Sequence, residues 1–151
     1  MSTDICKLKE LEKLVGHRFN DPDVLRQALT HASLERSSWN VYERLEFLGD
    51  RVLGLVVSET LLKRFPNERE GQISRRYANL VKRDSLAVVA RKIKFGNYLL
   101  ISTGEEAAGA RESVTILSDA LEAVIGALYW DGGLEVARQF IPVSYTHLRA
   151  H

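Results

Sequence analysis

Residues 41–65, VYERLEFLGDRVLGLVVSETLLKRF, carry the strongest helical pattern in the chain, and Pro66 follows as its end signal. With a step of about 100° per residue, one side of this helix carries five apolar residues and one acid: Leu45, Leu48, Val52, Leu55, Val56 and Glu59. We expect that side to face the core. Val57 and Leu61 lie on the opposite side along the second half, so the helix is predicted to be buried on both sides there.

The rest of the chain also shows the periodicity of helices. Apolar spacing and end signals predict six further helices, over about residues 8–15, 22–29, 70–81, 84–96 and 114–130 and from 134 onward. Asp21 and Asp84 are predicted N-caps, and Gly16 and Gly96 are predicted helix ends. Residues 104–113, GEEAAGARES, are predicted to form a polar loop. We find no alternating strand pattern, so the predicted fold class is all-α.

The chain length and composition predict one ordinary globular domain. The sequence has 151 residues, of which 45% are hydrophobic and 27% charged. We expect the domain to cover residues 1–141, and we interpret residues 142–151, PVSYTHLRAH, as a truncated or non-native tail. The formal net charge of +1 argues against binding nucleic acid by bulk charge alone.

The single cysteine, Cys6, excludes an intramolecular disulfide and a cysteine-based metal site. This cysteine usage is typical of a reducing cytosol, and we predict a cytoplasmic location. The amino-terminal stretch contains no apolar signal core, and the uninterrupted apolar runs are too short to span a membrane. We interpret Cys6, Trp39 and Trp130 as packing residues.

Three acids share one face of the long helix. Glu43, Glu46 and Asp50 fall within about 60° of one another. Such a group of acids most often forms a solvated outer face of a helix. Here the same side becomes apolar after Asp50, which indicates that the acids lie at the edge of a packed surface. Phe47 lies beside these acids and away from the core side, so it is a candidate contact for a partner subunit.

A second acid pair, Asp119 and Glu122, shares a face of the late helix, and Gly126 follows on that face as Gly54 follows Asp50. A glycine in a helix costs about 0.5–1 kcal/mol and allows another backbone to approach closely. We therefore predict that the two helices pack side by side and that their acids converge. Converging carboxylates require cations, and Mg²⁺, which Mn²⁺ can replace, suits an all-oxygen site for phosphoryl transfer. A di-iron carboxylate bundle would place a histidine three residues after an acid, and neither pair has one.

These residues resemble a known family. Residues 43–50, ERLEFLGD, look like the signature of ribonuclease III endonuclease domains, and four shorter matches accompany them in the expected order: THAS at 30–33, FP with EG at 65–66 and 70–71, SDALEA at 118–123, and IG at 125–126. The similarity covers roughly residues 8–141. It implies the helical bundle of that endonuclease domain.

The resemblance also implies roles for particular residues. Four acids would be catalytic and would hold the metal: Glu46, Asp50, Asp119 and Glu122. Loss of Glu122 would abolish cleavage most cleanly, Glu43 and Glu70 would support the site, and Phe47 would enter a pocket of the partner subunit. Four bases would contact RNA: Arg75, Arg76, Lys82 and Arg83. An equally good interpretation is that these four are ordinary solvated surface residues. The loop at 104–113 would border the site and be mobile.

The activity implied by the resemblance is cleavage of double-stranded RNA in rRNA and mRNA processing. A homodimer would span the minor groove of an A-form duplex. Each site would cut one strand and leave 5′-phosphate and 3′-hydroxyl ends with a short 3′ overhang. Two features depart from the family pattern: Tyr42 stands where many members have asparagine, and the chain ends before the usual RNA-binding domain, so weak RNA binding is expected.

Two alternatives remain. The chain could be a non-catalytic RNA-binding or ribosome-associated scaffold, which would be expected to lack one or more of the four acids. It could also be a nuclease domain that is idle in isolation because its affinity for RNA is too low.

Overall fold

The computed structural model describes residues 2–34 and 40–144, and within them the chain is helical. Eight α-helices follow one another: α1 (Ser2–Val15), α2 (Pro22–Leu29), α3 (Val41–Arg64), α4 (Glu70–Val81), α5 (Arg83–Lys92), α6 (Thr103–Ala107), α7 (Val114–Gly132) and α8 (Leu134–Ser144). Short 3-10 helices occupy Phe95–Tyr98 and Ala110–Glu112. The described residues form no strand, only an isolated bridge between Thr30 and Leu100. The all-α prediction is confirmed.

Local end signals explain several helix boundaries. Asp21 caps α2, because its side chain accepts a hydrogen bond from the Asp23 amide at 3.1 Å. Gly16 ends α1 with a φ of 78°, a backbone conformation that glycine adopts without strain. The helix α3 ends at Arg64, just before Pro66, as the sequence predicts. No helix within the described residues is long and apolar enough to cross a membrane.

Three predictions of helix boundaries and loops were wrong, those for Asp84, Gly96 and the loop 104–113. The helix α5 begins at Arg83 with Lys82 as its N-cap residue, so Asp84 lies inside the first turn and does not cap it. It ends at Lys92, and Gly96 lies inside the first 3-10 helix. The predicted loop at 104–113 contains most of α6 and the second 3-10 helix. The helix α8 continues through residues 142–144 of the predicted tail, and the remaining tail residues lie outside the described part of the chain.

The short helices that replace the predicted loop are held by side-chain hydrogen bonds. Ser102 caps α6 by accepting from the Glu105 amide. Arg111 donates at 2.8 Å to the carbonyl oxygens of both Gly96 and Leu99, and its Nε lies 2.7 Å from Glu106. The glycine-rich and charged composition of this stretch predicted a loop. It gave no sign of the bonds from Arg111 to Gly96 and Leu99, whose partners lie 15 and 12 positions away in the sequence.

The central helix of the bundle is α7, which packs along α3. Most of α7 between Leu117 and Leu128 is buried, including the hydroxyl-bearing Ser118. The two backbones touch at glycines: a Cβ atom added at Gly49 would lie 1.6 Å from the carbonyl oxygen of Glu122, and one added at Gly126 would lie 2.1 Å from that of Leu45. The close approach predicted at Gly126 is therefore confirmed.

The glycine expected opposite Gly126 was the wrong one. Gly49 makes the contact on α3, whereas Gly54 faces α4, where an added Cβ would lie 2.7 Å from the Tyr77 hydroxyl. Gly49 therefore allows the close approach of α7 to α3, and Gly54 allows the close approach of α4. Glycine spacing alone indicated that a close approach occurs but did not identify the helix that approaches.

The predicted core side of α3 is only partly covered. Leu45, Val52 and Val56 are buried, as are Val57 and Leu61 on the opposite side, which confirms burial on both sides. The expectation for Leu55 was wrong, because its side chain is 55% exposed. It lies about 80° from Leu45 around the helix, at the margin of the predicted stripe, where no described element covers it.

Exposed apolar side chains continue along this uncovered side of α3. Phe47 is 62% exposed and Leu62 is 61% exposed, and both lie within about 80° of Leu55 around the helix. The side chains extend over roughly 20 Å of helix. Three large exposed apolar side chains on one side of a helix are typical of a contact surface.

The carboxyl end of α7 is fixed to the start of the chain by Asp131. Its carboxylate accepts hydrogen bonds from His17 Nε2 at 2.7 Å and from the amides of Asn20 and Asp21 at 2.8 and 3.0 Å. Burial opposes ionisation of this group, but the three hydrogen bonds outweigh it and lower the pKa of Asp131. The sequence indicated only a helix stop at this position.

Candidate metal centre

Three of the four predicted catalytic acids converge between α3 and α7. Glu46, Asp119 and Glu122 each offer a carboxylate oxygen, and the three oxygens lie within 4.8 Å of one another. All three side chains are partly buried. The glycine contact explains this geometry, because Glu122 supplies the carbonyl that Gly49 faces and so lies where the two backbones are closest.

The fourth predicted acid, Asp50, lies at the rim of this cluster. Its carboxylate is hydrogen bonded to the Glu122 side chain. It also forms an ion pair with Arg51, whose Nη1 lies 2.6 Å from Asp50 Oδ2, and its side chain is 52% exposed. Asp50 therefore contacts the cluster but is not one of the three acids whose oxygens converge.

The electrostatic consequences are largest at Glu122. Its pKa is raised from the ordinary value of 4.5 to about 8, chiefly by burial and then by the hydrogen bond and charge of Asp50. The charges of Glu46 and Asp119 make smaller contributions to the same increase. Without a cation, Glu122 therefore keeps its proton at neutral pH.

Glu46 and Asp119 share a proton in the same way. Burial, the charge of Asp119 and the hydrogen bond to it raise the pKa of Glu46 to about 7, with a smaller contribution from Glu43. Burial also raises the pKa of Asp119, while Arg83 and the hydrogen bond from Glu46 act against that increase. Both carboxyl groups of this pair therefore have raised pKa values.

The cluster fits a hard divalent cation by its donor chemistry. Carboxylate oxygen is the ligand type that Mg²⁺ and Mn²⁺ prefer. Three such oxygens lie within 4.8 Å of one another here, so several ligands of one kind face a common point. A divalent charge would also offset the burial and the mutual repulsion that raise the pKa values of Glu46 and Glu122.

The two predicted supporting acids have different positions. Glu43 is exposed in the first turn of α3, and its charge raises the pKa of Glu46. Glu70 is the exposed first residue of α4, where it accepts a hydrogen bond from Ser74 Oγ at 2.9 Å. The supporting role of Glu70 stays a prediction.

Among the four predicted RNA contacts, Arg83 lies beside the acid cluster. Its Nη2 is 3.8 Å from Asp119 Oδ1, and its Nη1 is 3.5 Å from Thr115 Oγ1. Its side chain is 58% exposed, so the guanidinium reaches both the acids and solvent. Arg75 and Lys82 are exposed near it in sequence.

Arg76 is engaged within the domain. Its guanidinium donates two hydrogen bonds to Glu68, at 2.7 and 2.8 Å, and it lies over the Phe65 ring with its Cζ atom 3.7 Å from the ring centroid. This bidentate pair lowers the pKa of Glu68, chiefly through the hydrogen bonds. A phosphate would have to compete with both contacts, so Arg76 is the weakest RNA candidate of the four.

A groove beside Phe47 forms the second feature of this face. It encloses about 780 Å³, and its lining combines apolar and polar side chains: Val24, Gln27, Asn40, Val41, Glu43, Arg44, Leu45, Phe47, Leu48 and Trp130. The interpretation of Trp130 as a packing residue was wrong, because its side chain is 70% exposed. Cys6 is exposed as well, and Trp39 lies outside the described residues.

These features define a class of protein: an all-helical domain that presents clustered carboxylates suited to a divalent cation. The comparisons identify the family. A sequence model described as Ribonuclease-III-like matches residues 21–147, and the chain belongs to that family. It is 46% identical over 140 residues to ribonuclease 3 of Solibacter usitatus and 48% identical over 132 residues to ribonuclease 3 of Ectopseudomonas mendocina.

Solved structures agree with this assignment. The nuclease domain of ribonuclease III from Campylobacter jejuni is 41% identical, with a TM-score of 0.82, and the match covers 93% of this chain and 97% of that one. Dicer from Pichia stipitis is 26% identical with a TM-score of 0.68, over 88% of this chain and 58% of that protein. The alignments with the two curated bacterial relatives cover 87% of this chain but only 52% and 56% of theirs. The chain thus spans about half the length of those relatives and has the fold of their nuclease part.

Two residues at the site were missed by sequence reasoning. Gly49 lies inside the ERLEFLGD stretch, but its contact with α7 depends on a partner 73 positions away in the sequence. Arg51 contacts both Asp50 and the Phe47 ring. The four-residue spacing of Phe47 and Arg51 on one helix was an available signal for that second contact.

Proposed function

We propose that this chain is an endoribonuclease that cleaves double-stranded RNA by hydrolysis of phosphodiester bonds, assisted by Mg²⁺ or Mn²⁺. The convergence of Glu46, Asp119 and Glu122 is the observation that carries the proposal. Membership of the Ribonuclease-III-like family and the names of the curated relatives support the choice of RNA as the substrate. Duplex RNA follows from the resemblance described above.

In this proposal, Glu46, Asp50, Asp119 and Glu122 hold the cation. A divalent ion at such a site neutralises charge on the phosphodiester and its leaving oxygen and promotes attack by water. The pKa values of Glu46 and Glu122 are raised to about 7 and about 8, and any proton on these carboxyl groups must leave before they can bind the ion, so cation binding and proton release are linked. Asp50 must turn from Arg51 to complete the set.

Arg83 is the base best placed to orient the substrate. Its guanidinium lies 3.8 Å from Asp119 and is more than half exposed, so a phosphate at the acid cluster would come within its reach. Guanidinium groups bind phosphate oxygens in a bidentate manner. We propose Arg75 and Lys82 as more distant phosphate contacts, because they are exposed close to Arg83 in sequence.

We also propose that two copies of the chain form a homodimer. The exposed Phe47 ring would enter the groove of the second copy, which Val24, Leu48 and Trp130 line in part. In a two-fold symmetric dimer, each copy contributes its Phe47 ring and its groove to the interface. The two features lie side by side on one surface, as such an interface requires. The exposed Leu55 and Leu62 extend the apolar contact along α3. The Campylobacter jejuni nuclease domain is described as having a flexible region involved in dimer formation.

Several finer properties belong to the proposal as well. A dimer with one cluster per chain would cut both strands of a duplex and leave 5′-phosphate and 3′-hydroxyl ends with short 3′ overhangs. Processing of rRNA and mRNA in the cytoplasm is the proposed setting. The RNA affinity of these residues is expected to be modest, because their formal net charge is only +1.

The decisive experiment is cleavage of a long duplex RNA in Mg²⁺ by the wild-type chain and by Glu122→Gln. We expect the wild type to cut and Glu122→Gln to lose activity by at least about a hundredfold. Glu10→Gln is the matched control, because Glu10 is an exposed acid on α1. Activity that persists in Glu122→Gln would show that cleavage does not use this cluster.

The same assay separates the alternatives. A scaffold would bind duplex RNA without cutting it at any RNA or protein concentration in either Mg²⁺ or Mn²⁺. An idle nuclease domain would cut only at low salt or high protein concentration, because weak phosphate contacts limit RNA binding. The presence of all four acids favours cleavage over the scaffold.

A further inference from the structure

Arg51 contacts both the exposed Phe47 ring of α3 and Asp50, which lies at the rim of the acid cluster. Its guanidinium carbon lies 4.3 Å from the centroid of the Phe47 ring, and its Nη1 lies 2.6 Å from Asp50 Oδ2. Phe47 and Arg51 are four residues apart on one helix face. Asp50 in turn is hydrogen bonded to Glu122. One side chain therefore connects the proposed dimer contact to the proposed metal centre.

The ion pair of Arg51 competes with a cation for Asp50. Arg51 occupies Asp50 Oδ2 with a charge-assisted hydrogen bond at 2.6 Å, and a guanidinium at that distance repels a second positive charge near the same carboxylate. The three oxygens that converge within 4.8 Å belong to Glu46, Asp119 and Glu122, and Asp50 is outside that set.

The Phe47 ring helps to hold Arg51 in this competing position. A cation–π contact at an exposed site shifts an equilibrium by roughly two- to fivefold. The ring keeps this contact only while it stays on its own chain. If Phe47 enters the groove of a second copy, the guanidinium loses the ring and its hold on Asp50 weakens by that factor.

We propose that Arg51 is a positioning residue that couples assembly of two chains to capture of the cation by Asp50. In the single chain, Phe47 holds Arg51 against Asp50 and the centre has three converging acids. In the dimer, Arg51 releases Asp50 to join them. This inference rests on the proposed function and adds a means of regulating the same site: a chain without a partner binds the cation more weakly.

The effect of assembly on Arg51 can be isolated by blocking the groove. Such a chain keeps its own Phe47, but its groove cannot bind the Phe47 ring of a second copy. Trp130→Glu places a carboxylate in the groove, and because Trp130 is 70% exposed the core is unchanged. We would compare the wild type, Trp130→Glu, and Trp130→Glu combined with either Arg51→Gln or Arg64→Gln. Arg64 is the matched control: an exposed arginine of α3 about 20 Å from Arg51 along the helix axis.

Sedimentation would give the oligomeric state and calorimetric titration with MnCl₂ would give the cation affinity, so that neither measurement depends on activity. We expect Trp130→Glu to be monomeric and to bind Mn²⁺ about two- to fivefold more weakly than the wild-type dimer. Adding Arg51→Gln should restore at least that factor, whereas adding Arg64→Gln should not. The carboxylate introduced by Trp130→Glu would by charge alone favour cation binding, so it does not explain weaker binding.

The failures of the two proposals are distinguishable. If Mn²⁺ does not bind even to the wild-type dimer, the proposed metal centre is wrong and this inference ends with it. If Mn²⁺ binds and Trp130→Glu is monomeric, but Arg51→Gln leaves the affinity unchanged or lowers it, the metal centre stands and the role of Arg51 is wrong. Equal Mn²⁺ affinity in the monomer and the dimer overturns the coupling, as does a Trp130→Glu chain that still dimerises.

Discussion

The backbone of Gly49 passes so close to Glu122 that a Cβ atom at position 49 would lie 1.6 Å from the Glu122 carbonyl oxygen. This contact sets the separation of α3 and α7 at the level of the acid cluster. Glu46 lies one turn before Gly49, and Glu122 is the residue contacted, so the convergence of their carboxylates depends on the absence of a side chain between them.

Gly49→Ala is therefore expected to separate the two helices and damage both stability and the cluster. The methyl group meets backbone atoms that cannot rotate away, so we expect a loss of about 3 kcal/mol or more in the free energy of unfolding. Chemical denaturation at pH 7 would measure it. Gly71→Ala is the control: an exposed glycine in α4 with nothing within 4 Å of its added Cβ, where alanine should stabilise by about 0.5–1 kcal/mol. A Gly49→Ala chain as stable as the wild type would contradict this packing.

The raised pKa values of the cluster predict an unusual pH dependence without metal. Glu46 and Glu122 have pKa values of about 7 and about 8 in the folded chain, against 4.5 normally. The unfolded chain therefore loses these protons first, and stability falls as the pH rises from about 4.5 through the two folded values. We expect a total loss on the order of 2–4 kcal/mol between pH 5 and pH 8.5 in EDTA, recovered on addition of Mg²⁺. Denaturation series at several pH values would measure it.

Glu122→Gln should remove much of this loss, because the amide does not ionise. At pH 8.5 in EDTA the variant is expected to unfold at a higher temperature than the wild type, while at pH 5 the two should be similar. Substituting a catalytic residue often increases the stability of the fold, because such residues are kept for activity at a cost in stability. Glu10→Gln, at an exposed position, should follow the wild type throughout. If Glu122→Gln is the less stable chain at pH 8.5, the assigned pKa increase is wrong.

The exposed Phe47 ring predicts a specific effect on assembly. Phe47→Ala removes the side chain that would enter the groove of a second copy, so we expect the dimer to dissociate at least about a hundredfold more readily. Sedimentation over a range of concentrations would measure the change. Val88→Ala is the control, because Val88 is a 40% exposed apolar residue on a different helix, α5. A fully dimeric Phe47→Ala chain would show that the ring is not a main anchor.

The sequence predicted the acid cluster well because its information is local. Glu46 and Asp50, like Asp119 and Glu122, share a helix face through spacing alone, and Gly126 indicated where another backbone approaches. Helix geometry fixes these relationships before any tertiary contact forms. The predicted fold class and the main helices were correct for the same reason.

The parts that the sequence did not reveal depend on contacts between distant residues. The exposure of Leu55 depends on which elements cover α3, and the order in the predicted 104–113 loop depends on the carbonyl partners of Arg111. Asp50 was grouped with the other acids, whereas the structure pairs it with Arg51. Periodicity describes one helix at a time, so it does not report how neighbouring side chains compete for the same partner.

Asp131 provides the most distant of these contacts and a final prediction. Its carboxylate accepts from His17 and from the amides of Asn20 and Asp21, so Asp131→Ala leaves two backbone donors and one imidazole without their partner. We expect a loss of about 3 kcal/mol in the free energy of unfolding at pH 7, whereas Asp84→Ala, at an exposed acid of α5, should change it by less than about 0.5 kcal/mol.

Because the pKa of Asp131 is lowered, the stability that these hydrogen bonds contribute depends on pH. The stability it contributes is present above the ordinary aspartate value of 3.8 and is lost as the pH falls through the lower folded value. Asp131→Asn should therefore differ most from the wild type at neutral pH and least in strong acid. Denaturation series from pH 7 to pH 2.5 would measure the difference. A constant difference across that range would mean that the Asp131 carboxylate does not carry the charge on which these three hydrogen bonds depend, and that the α1–α2 connection is fixed to α7 by packing alone.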